Sequence, residues 1–215
     1  MKHTSEVIRE KKIVVIVRGT YGSDLLHLAQ ALYRGGIRLL EVTYEQNRPD
    51  GLTMTAEAIA SIKAEFGSEL LVGAGTVLSV EQIEAAQQAG GVYIISPNTD
   101  TAIIQATKQR GLVSIPGAMT PSEILSAHHT GADFVKLFPA GTLGMQYIKD
   151  IRGPISHVPL IATGGVTEEN FPEFLDLGLI GAGISGRLTD KQLIARGEWD
   201  EFTRRAEHFV SLATR

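Results

Sequence analysis

Residues 70–90 read LLVGAGTVLSVEQIEAAQQAG. The stretch is one complete structural unit. Its apolar run, 70–77, has the length of a buried strand. Ser79 can then cap a helix over 80–89, because its hydroxyl accepts a backbone N–H of the first turn. Gln82 stands three residues on, where a capping box needs it. Gly90 follows as the left-handed stop. Seven other runs share this form, at 13–18, 39–44, 93–97, 113–117, 134–139, 160–165 and 180–185. Their starts run from 13 to 180, so the mean spacing is about 24 residues, enough for a strand, a loop and a helix of roughly 10–15 residues.

The segments between the runs read as helices. Ser23 is placed to cap 24–34, which Gly35-Gly36 ends, and Thr120-Pro121-Ser122-Glu123 sets a proline at a first helical position. Gly111, Gly131 and Gly178 each follow a helical run. Residues 1–11 predict an extra helix, and 190–214 one long or two shorter ones. Strict alternation implies a parallel sheet with right-handed crossovers. Eight units predict an α/β (β/α)8 TIM barrel, a single domain over 1–215 with an extra N-terminal helix. An open doubly wound sheet is the alternative.

Composition narrows the function. The apolar fraction is 43%, enough for a large core, and the 215 residues sit near the lower size of such a barrel. Net charge is −4 and no Lys/Arg block forms a stripe, which argues against a nucleic-acid partner. No run approaches the roughly 18 apolar residues of a membrane span, and no leader is evident, so a cytoplasmic location is expected. With no Cys, thiolate metal sites and a Cys nucleophile are excluded. The six His form no ligand constellation, so no metal is expected.

Barrel chemistry sits at the carboxyl ends of the strands, where two charges interrupt apolar runs. Lys136, in FVKLFP, shares a strand face with Phe134 and Phe138. Burying an ammonium favours its neutral form, which is an amine nucleophile for a ketone. Glu41, in LLEVTY, faces the same interior and can shuttle protons beside that amine. A structural ion pair between the two is the competing explanation. Arg18 ends the first run, where it can meet an anion or lie on the surface. The Thr76 hydroxyl can hold a carboxylate. Pro97, in Ser96-Pro97-Asn98, can shape the pocket wall. The last two strand ends are glycine-rich. Thr163, Gly164, Gly165, Ser185 and Gly186 can offer donors to a phosphate or another anion.

In order, Arg18 after IVVIV, LEVT around Glu41, VGAGTV at 72–77, ISPN at 95–98, SIPGAMTPSE at 114–123, FVKLFPA at 134–140 and TGGV at 163–166 resemble the 2-keto-3-deoxy-6-phosphogluconate (KDPG) / 4-hydroxy-2-oxoglutarate (KHG) aldolase family. The resemblance covers about residues 8–210. It implies a class I aldolase on a (β/α)8 barrel, usually a homotrimer, without metal or other cofactor. The substrate would be a 2-keto-4-hydroxy acid, phosphorylated in the phosphogluconate type, cleaved to pyruvate and an aldehyde: glyceraldehyde 3-phosphate, or glyoxylate from 4-hydroxy-2-oxoglutarate. Carried over, Lys136 is the Schiff-base lysine, Glu41 the general acid/base and Thr76 a pyruvyl-carboxylate contact. Arg18, Pro97 and Phe138 line the site, and Thr163, Gly164 and Gly165 are part of the phosphate site. Two positions depart from the pattern. Glu45 stands where many phosphogluconate-type members carry Arg; relatives acting on the phosphogalactonate also lack that Arg, and Arg48 is near enough in sequence to compensate. Gly186 stands where many members carry a phosphate-binding Ser. The alternatives are a 2-keto-3-deoxy-6-phosphogalactonate aldolase, a phosphate-binding-barrel sugar-phosphate isomerase or epimerase, and a non-catalytic sugar-acid binder. The 45–51 loop, EQNRPDG, is where substrate choice is expected to be decided.

Overall fold

A computed structural model describes residues 2–214. Nine hydrogen-bonded segments, all parallel, form the sheet: β1 Ile13–Val17, β2 Leu39–Thr43, β3 Leu71–Gly75, β4 Tyr93–Ile95, β5 Val113–Ile115, β6 Gly117–Ala118, β7 Val135–Leu137, β8 Leu160–Thr163 and β9 Gly181–Ile184. The helices are α1 Lys2–Lys11, α2 Gly22–Arg34, α3 Gly51–Phe66, α4 Val80–Gln88, α5 Thr101–Gln109, α6 Pro121–His129, α7 Ala140–Arg152, α8 Phe171–Asp176, α9 Lys191–Arg196 and α10 Trp199–Ala213.

The order β5-β4-β3-β2-β1-β9-β8-β7-β6 is a barrel cut at one point. β5 and β6 are one chain segment interrupted by Pro116, which has no N–H for the ladder. On one side, Ile115 O accepts from Ser96 N at 3.3 Å. On the other, Pro116 O accepts from Lys136 N at 2.9 Å and Ala118 O from Phe138 N at 3.0 Å. The segment bonds to both neighbours and closes an eight-stranded ring. The run 113–117 is therefore one barrel strand in two pieces.

Alternation along each strand splits the core into two clusters. Leu40 and Val42 of β2 point out to the helical layer, while Leu39 points in. The inner cluster contains Val14, Leu39, Leu71, Tyr93, Val113, Phe134 and Ile161, and Ile8 of α1 joins it from below. Arg9 of α1 lies over the Phe134 ring, 5.0 Å from its centroid. The extra helix therefore closes the floor of the barrel. Each fully buried aliphatic or aromatic side chain contributes about 1.5–3 kcal/mol.

Several local expectations hold. Gly90, Gly111, Gly131 and Gly178 all have positive φ. Thr120 and Glu123 form a reciprocal capping box with Pro121 in the first turn. The C-terminal stretch is two helices, separated at Gly197 (φ 66°). Two cap details differ. Helix α2 begins at Gly22 with Tyr21 as N-cap, so Ser23 lies inside the first turn and caps nothing. Ser79 accepts from Gln82 N at 3.3 Å, but the Gln82 amide oxygen accepts from Leu78 N rather than from Ser79.

Candidate active site

At the carboxyl ends of the strands lies a cavity of about 970 Å³. All eleven residues singled out from the sequence line it: Lys136, Glu41, Arg18, Thr76, Pro97, Phe138, Thr163, Gly164, Gly165, Ser185 and Gly186. The strands account for the placement. Period-2 alternation turns Glu41 of β2 and Lys136 of β7 inward, one layer above Leu39 and Phe134.

Glycines make room for this layer. A Cβ on Gly75 would lie 1.7 Å from Glu41 Oε1, so the carboxyl rests against bare backbone. A Cβ on Gly73 would meet the Tyr93 ring at 2.2 Å. That ring is buried beneath the site, and its hydroxyl donates to Leu40 O at 2.5 Å.

Lys136 is 8% exposed and Glu41 2%. Among the described residues neither side chain makes a hydrogen bond or an ion pair within 4.0 Å, so the structural ion pair does not form. Lys136 Nζ lies 5.0 Å from the centroid of the Phe138 ring, which stands at the rim 39% exposed. Burial pushes the Glu41 carboxyl above the ordinary carboxylate range. The Lys136 ammonium and the Arg18 guanidinium oppose that rise without cancelling it. The arrangement is a buried lysine free of hydrogen-bond and ion-pair partners among the described residues and, in the same cavity, a carboxyl whose pKa burial raises.

Arg18 Nη2 reaches Thr76 Oγ1 at 3.5 Å. Thr76 itself has φ 56°, an unusual conformation for a β-branched residue. Gln46 supports it, donating from Nε2 to Thr76 O at 2.6 Å, and Gln82 Nε2 holds the Gln46 oxygen at 3.0 Å. Across the cavity Gly164 and Gly165 have φ of 84° and 70°. The backbone N–H groups of Gly165, Val166 and Gly186 take no acceptor among the described residues and border the cavity. They are donors available to an anion.

The structure corrects one expectation and adds one residue. Arg48 lies outside the cavity lining. Its guanidinium binds Asp50 through two bonds, at 2.9 and 3.0 Å, and lies 3.7 Å from Glu45 Oε2, so it is held by these acids rather than turned into the cavity. Glu45 does line the cavity, with Oε2 accepting from Tyr21 Oη at 3.1 Å. The added residue is Lys191, first in α9, also on the cavity wall. One sequence signal pointed to it: a lysine at the positive end of a helix is out of place electrostatically. Among the described residues no group of three or more His, Cys, Asp or Glu can hold a metal ion.

The family model described as "KDPG and KHG aldolase" matches residues 4–205. The chain belongs to this family. It is 33% identical over 180 residues to a probable 2-dehydro-3-deoxy-6-phosphogalactonate aldolase of Rhizobium meliloti, covering 83% of this chain and 82% of the relative. It is 33% identical over 199 residues to the 2-dehydro-3-deoxy-phosphogluconate aldolase of Treponema pallidum, covering 92% and 91%. Among solved structures, the KDPG aldolase of Legionella pneumophila, with pyruvate captured as a covalent carbinolamine, superposes with a TM-score of 0.84. It is 27% identical and covers 94% of this chain and 96% of its own. The chain is thus an aldolase-family lyase on a TIM-type barrel, and no helix among its described residues is long and apolar enough to cross a membrane.

Proposed function

We propose that this chain is a class I aldolase of one barrel domain that cleaves a phosphorylated 2-keto-3-deoxy sugar acid to pyruvate and glyceraldehyde 3-phosphate. The observation that carries the reading is the buried Lys136, free of hydrogen-bond and ion-pair partners among the described residues, in the same cavity as a Glu41 whose pKa burial raises. The amine of Lys136 attacks C2, and Glu41, directly or through a water, protonates the oxygen. The carbinolamine loses water to give an iminium. Glu41 then removes the C4-hydroxyl proton. The C4–O electrons become the aldehyde carbonyl, and the C3–C4 pair moves into the iminium to give an enamine. After the aldehyde leaves, C3 takes a proton, and water hydrolyses the new iminium to release pyruvate. The imine is the electron sink, so the scheme draws on no cofactor. Arg18 and Thr76 hold the carboxylate, Pro97 and Phe138 wall the site, and the phosphate meets Thr163, Gly164, Gly165, Ser185 and Gly186.

Glu45 favours the galactonate type over the gluconate type, because an acid replaces the arginine expected of the latter. Exposed Leu78, Val80 and Met119 on the strand-end loops and nearby helix start suit burial in a homotrimer. A cytoplasmic location is part of the same proposal.

Incubation with pyruvate, borohydride reduction and mass spectrometry test the reading. One pyruvyl adduct is expected, on Lys136. No adduct, or an adduct confined to another lysine, overturns the proposal, and an isomerase or a passive binder would give none.

A further inference from the structure

We infer that Lys191 is a positioning residue: its ammonium anchors the turn that carries Arg18, and so fixes the Arg18 guanidinium beside Thr76, where the substrate carboxylate is to be held. The inference rests on the aldolase reading above and adds a residue to it.

The geometry is local. An ammonium has three donors. Lys191 Nζ donates to Arg18 O, to Gly19 O at 2.7 Å and to Thr20 Oγ1 at 2.7 Å. Every donor is therefore taken by the turn, and none is left for a substrate anion. The turn leaves β1 through Gly19 (φ 57°) and enters α2 through Gly22 (φ 60°). Two such glycines give the segment wide freedom unless something holds it. The guanidinium of Arg18 is exposed, and its one side-chain hydrogen bond among the described residues is the long one to Thr76. Its aim is therefore set by the backbone beneath it.

The helix does not explain the lysine. Asp190 caps α9, accepting from Gln192 N at 2.9 Å and Leu193 N at 3.3 Å. A cation in that first turn opposes the helix dipole, so its contribution lies in the contacts across to residues 18–20. Burial lowers the Lys191 pKa, and the Glu45 carboxylate nearby opposes the fall and favours the charged form. Glu45 Oε1 lies 3.2 Å from where a Gly19 Cβ would be, so the acid flanks the same turn.

The chain contains no cysteine, so Lys191→Cys introduces a unique thiol. Alkylation with 2-bromoethylamine displaces bromide, forms one C–S bond and rebuilds a lysine-length ammonium at that position. Two readouts are taken on the full chain: the pyruvate concentration for half-maximal borohydride trapping at Lys136, and amide hydrogen exchange over residues 18–22. Lys191→Cys is expected to raise the half-maximal concentration about 10-fold or more and to leave the maximal trapping rate within about threefold, a loss of positioning rather than of chemistry. Exchange in the turn is expected to quicken, and aminoethylation to restore both readouts. Unchanged exchange in the turn overturns the proposal whatever trapping shows. Faster exchange with an unchanged half-maximal concentration also overturns it, as does a fall in maximal rate alone or a failure of aminoethylation to rescue. A wild-type chain that pyruvate never labels would instead sink the aldolase reading, and the exchange measurement would still decide the role of Lys191.

Discussion

Gly75→Ala is a one-carbon perturbation aimed at the placement of Glu41. The three atoms nearest the added methyl group are Glu41 Oε1 at 1.7 Å, Cδ at 2.4 Å and Cγ at 2.6 Å. Ordinary contact begins near 3.5 Å, so the carboxyl must retreat by roughly 1.5–2 Å. The backbone of Gly75 is not left-handed, so alanine fits the strand and the clash with Glu41 dominates. A displacement of about 1 Å at a reacting group lowers rate about 10²-fold, which is about 2.7 kcal/mol of barrier. Overpacking also destabilises the fold by about 1–3 kcal/mol, which leaves a domain of ordinary stability folded. The assay is pyruvate release coupled to lactate dehydrogenase, with urea unfolding alongside. Gly75→Ala is expected to lower kcat about 10²-fold in the wild-type background. In a Glu41→Gln background, where the proton shuttle is already gone, the further loss should stay under about threefold. A folded Gly75→Ala protein that keeps kcat within about threefold would refute the reasoning. So would equal losses in both backgrounds, because the two positions would then act independently.

Other outcomes follow from the same geometry. Because burial raises the folded-state pKa of Glu41, its contribution to stability is fully present below the unfolded-state pKa and is lost as pH rises through the raised value. Glu41→Gln, permanently neutral, should therefore gain stability over wild type as pH climbs through and above the ordinary carboxylate range, read from urea midpoints. An advantage that shrinks with rising pH would instead mean that the carboxylate is held in an ion pair. Arg48→Ala should leave KM within about twofold and stability within about 0.5 kcal/mol, since the exposed guanidinium binds Asp50 closely and Glu45 only at 3.7 Å, and does not itself line the cavity. A tenfold rise in KM would restore Arg48 as a substrate contact.

The strands were legible because both faces of a parallel barrel strand are buried, so each reads as a continuous apolar run. The runs overshoot the strands for a functional reason. Thr76 and Phe138 continue the apolar or β-branched pattern just past the ends of β3 and β7, and both line the cavity. Lys136 and Glu41 were legible because a charge inside an apolar run has no other excuse. Lys191 was not, because its one signal, a cation in a first helical turn, is weak without sight of its partners. Its meaning comes from residues 18–20, about 170 positions away in the chain. Arg48 misled for the opposite reason. Proximity in sequence placed it near the site, while Asp50, two residues on, and Glu45 occupy its guanidinium.

The floor laid by α1 sets the order of traffic. With Ile8 and Phe134 packed beneath the site at one end of the barrel, Lys136 faces the cavity at the carboxyl ends of the strands. On the proposed scheme the pyruvyl carbons are tethered at the inner end, and the aldehyde fragment lies between them and the exit. The aldehyde must therefore depart first in cleavage, and pyruvate must load first in the reverse reaction. The tether on Lys136 thus imposes a compulsory queue: aldehyde accumulating outside recombines with the enamine and delays the release of pyruvate.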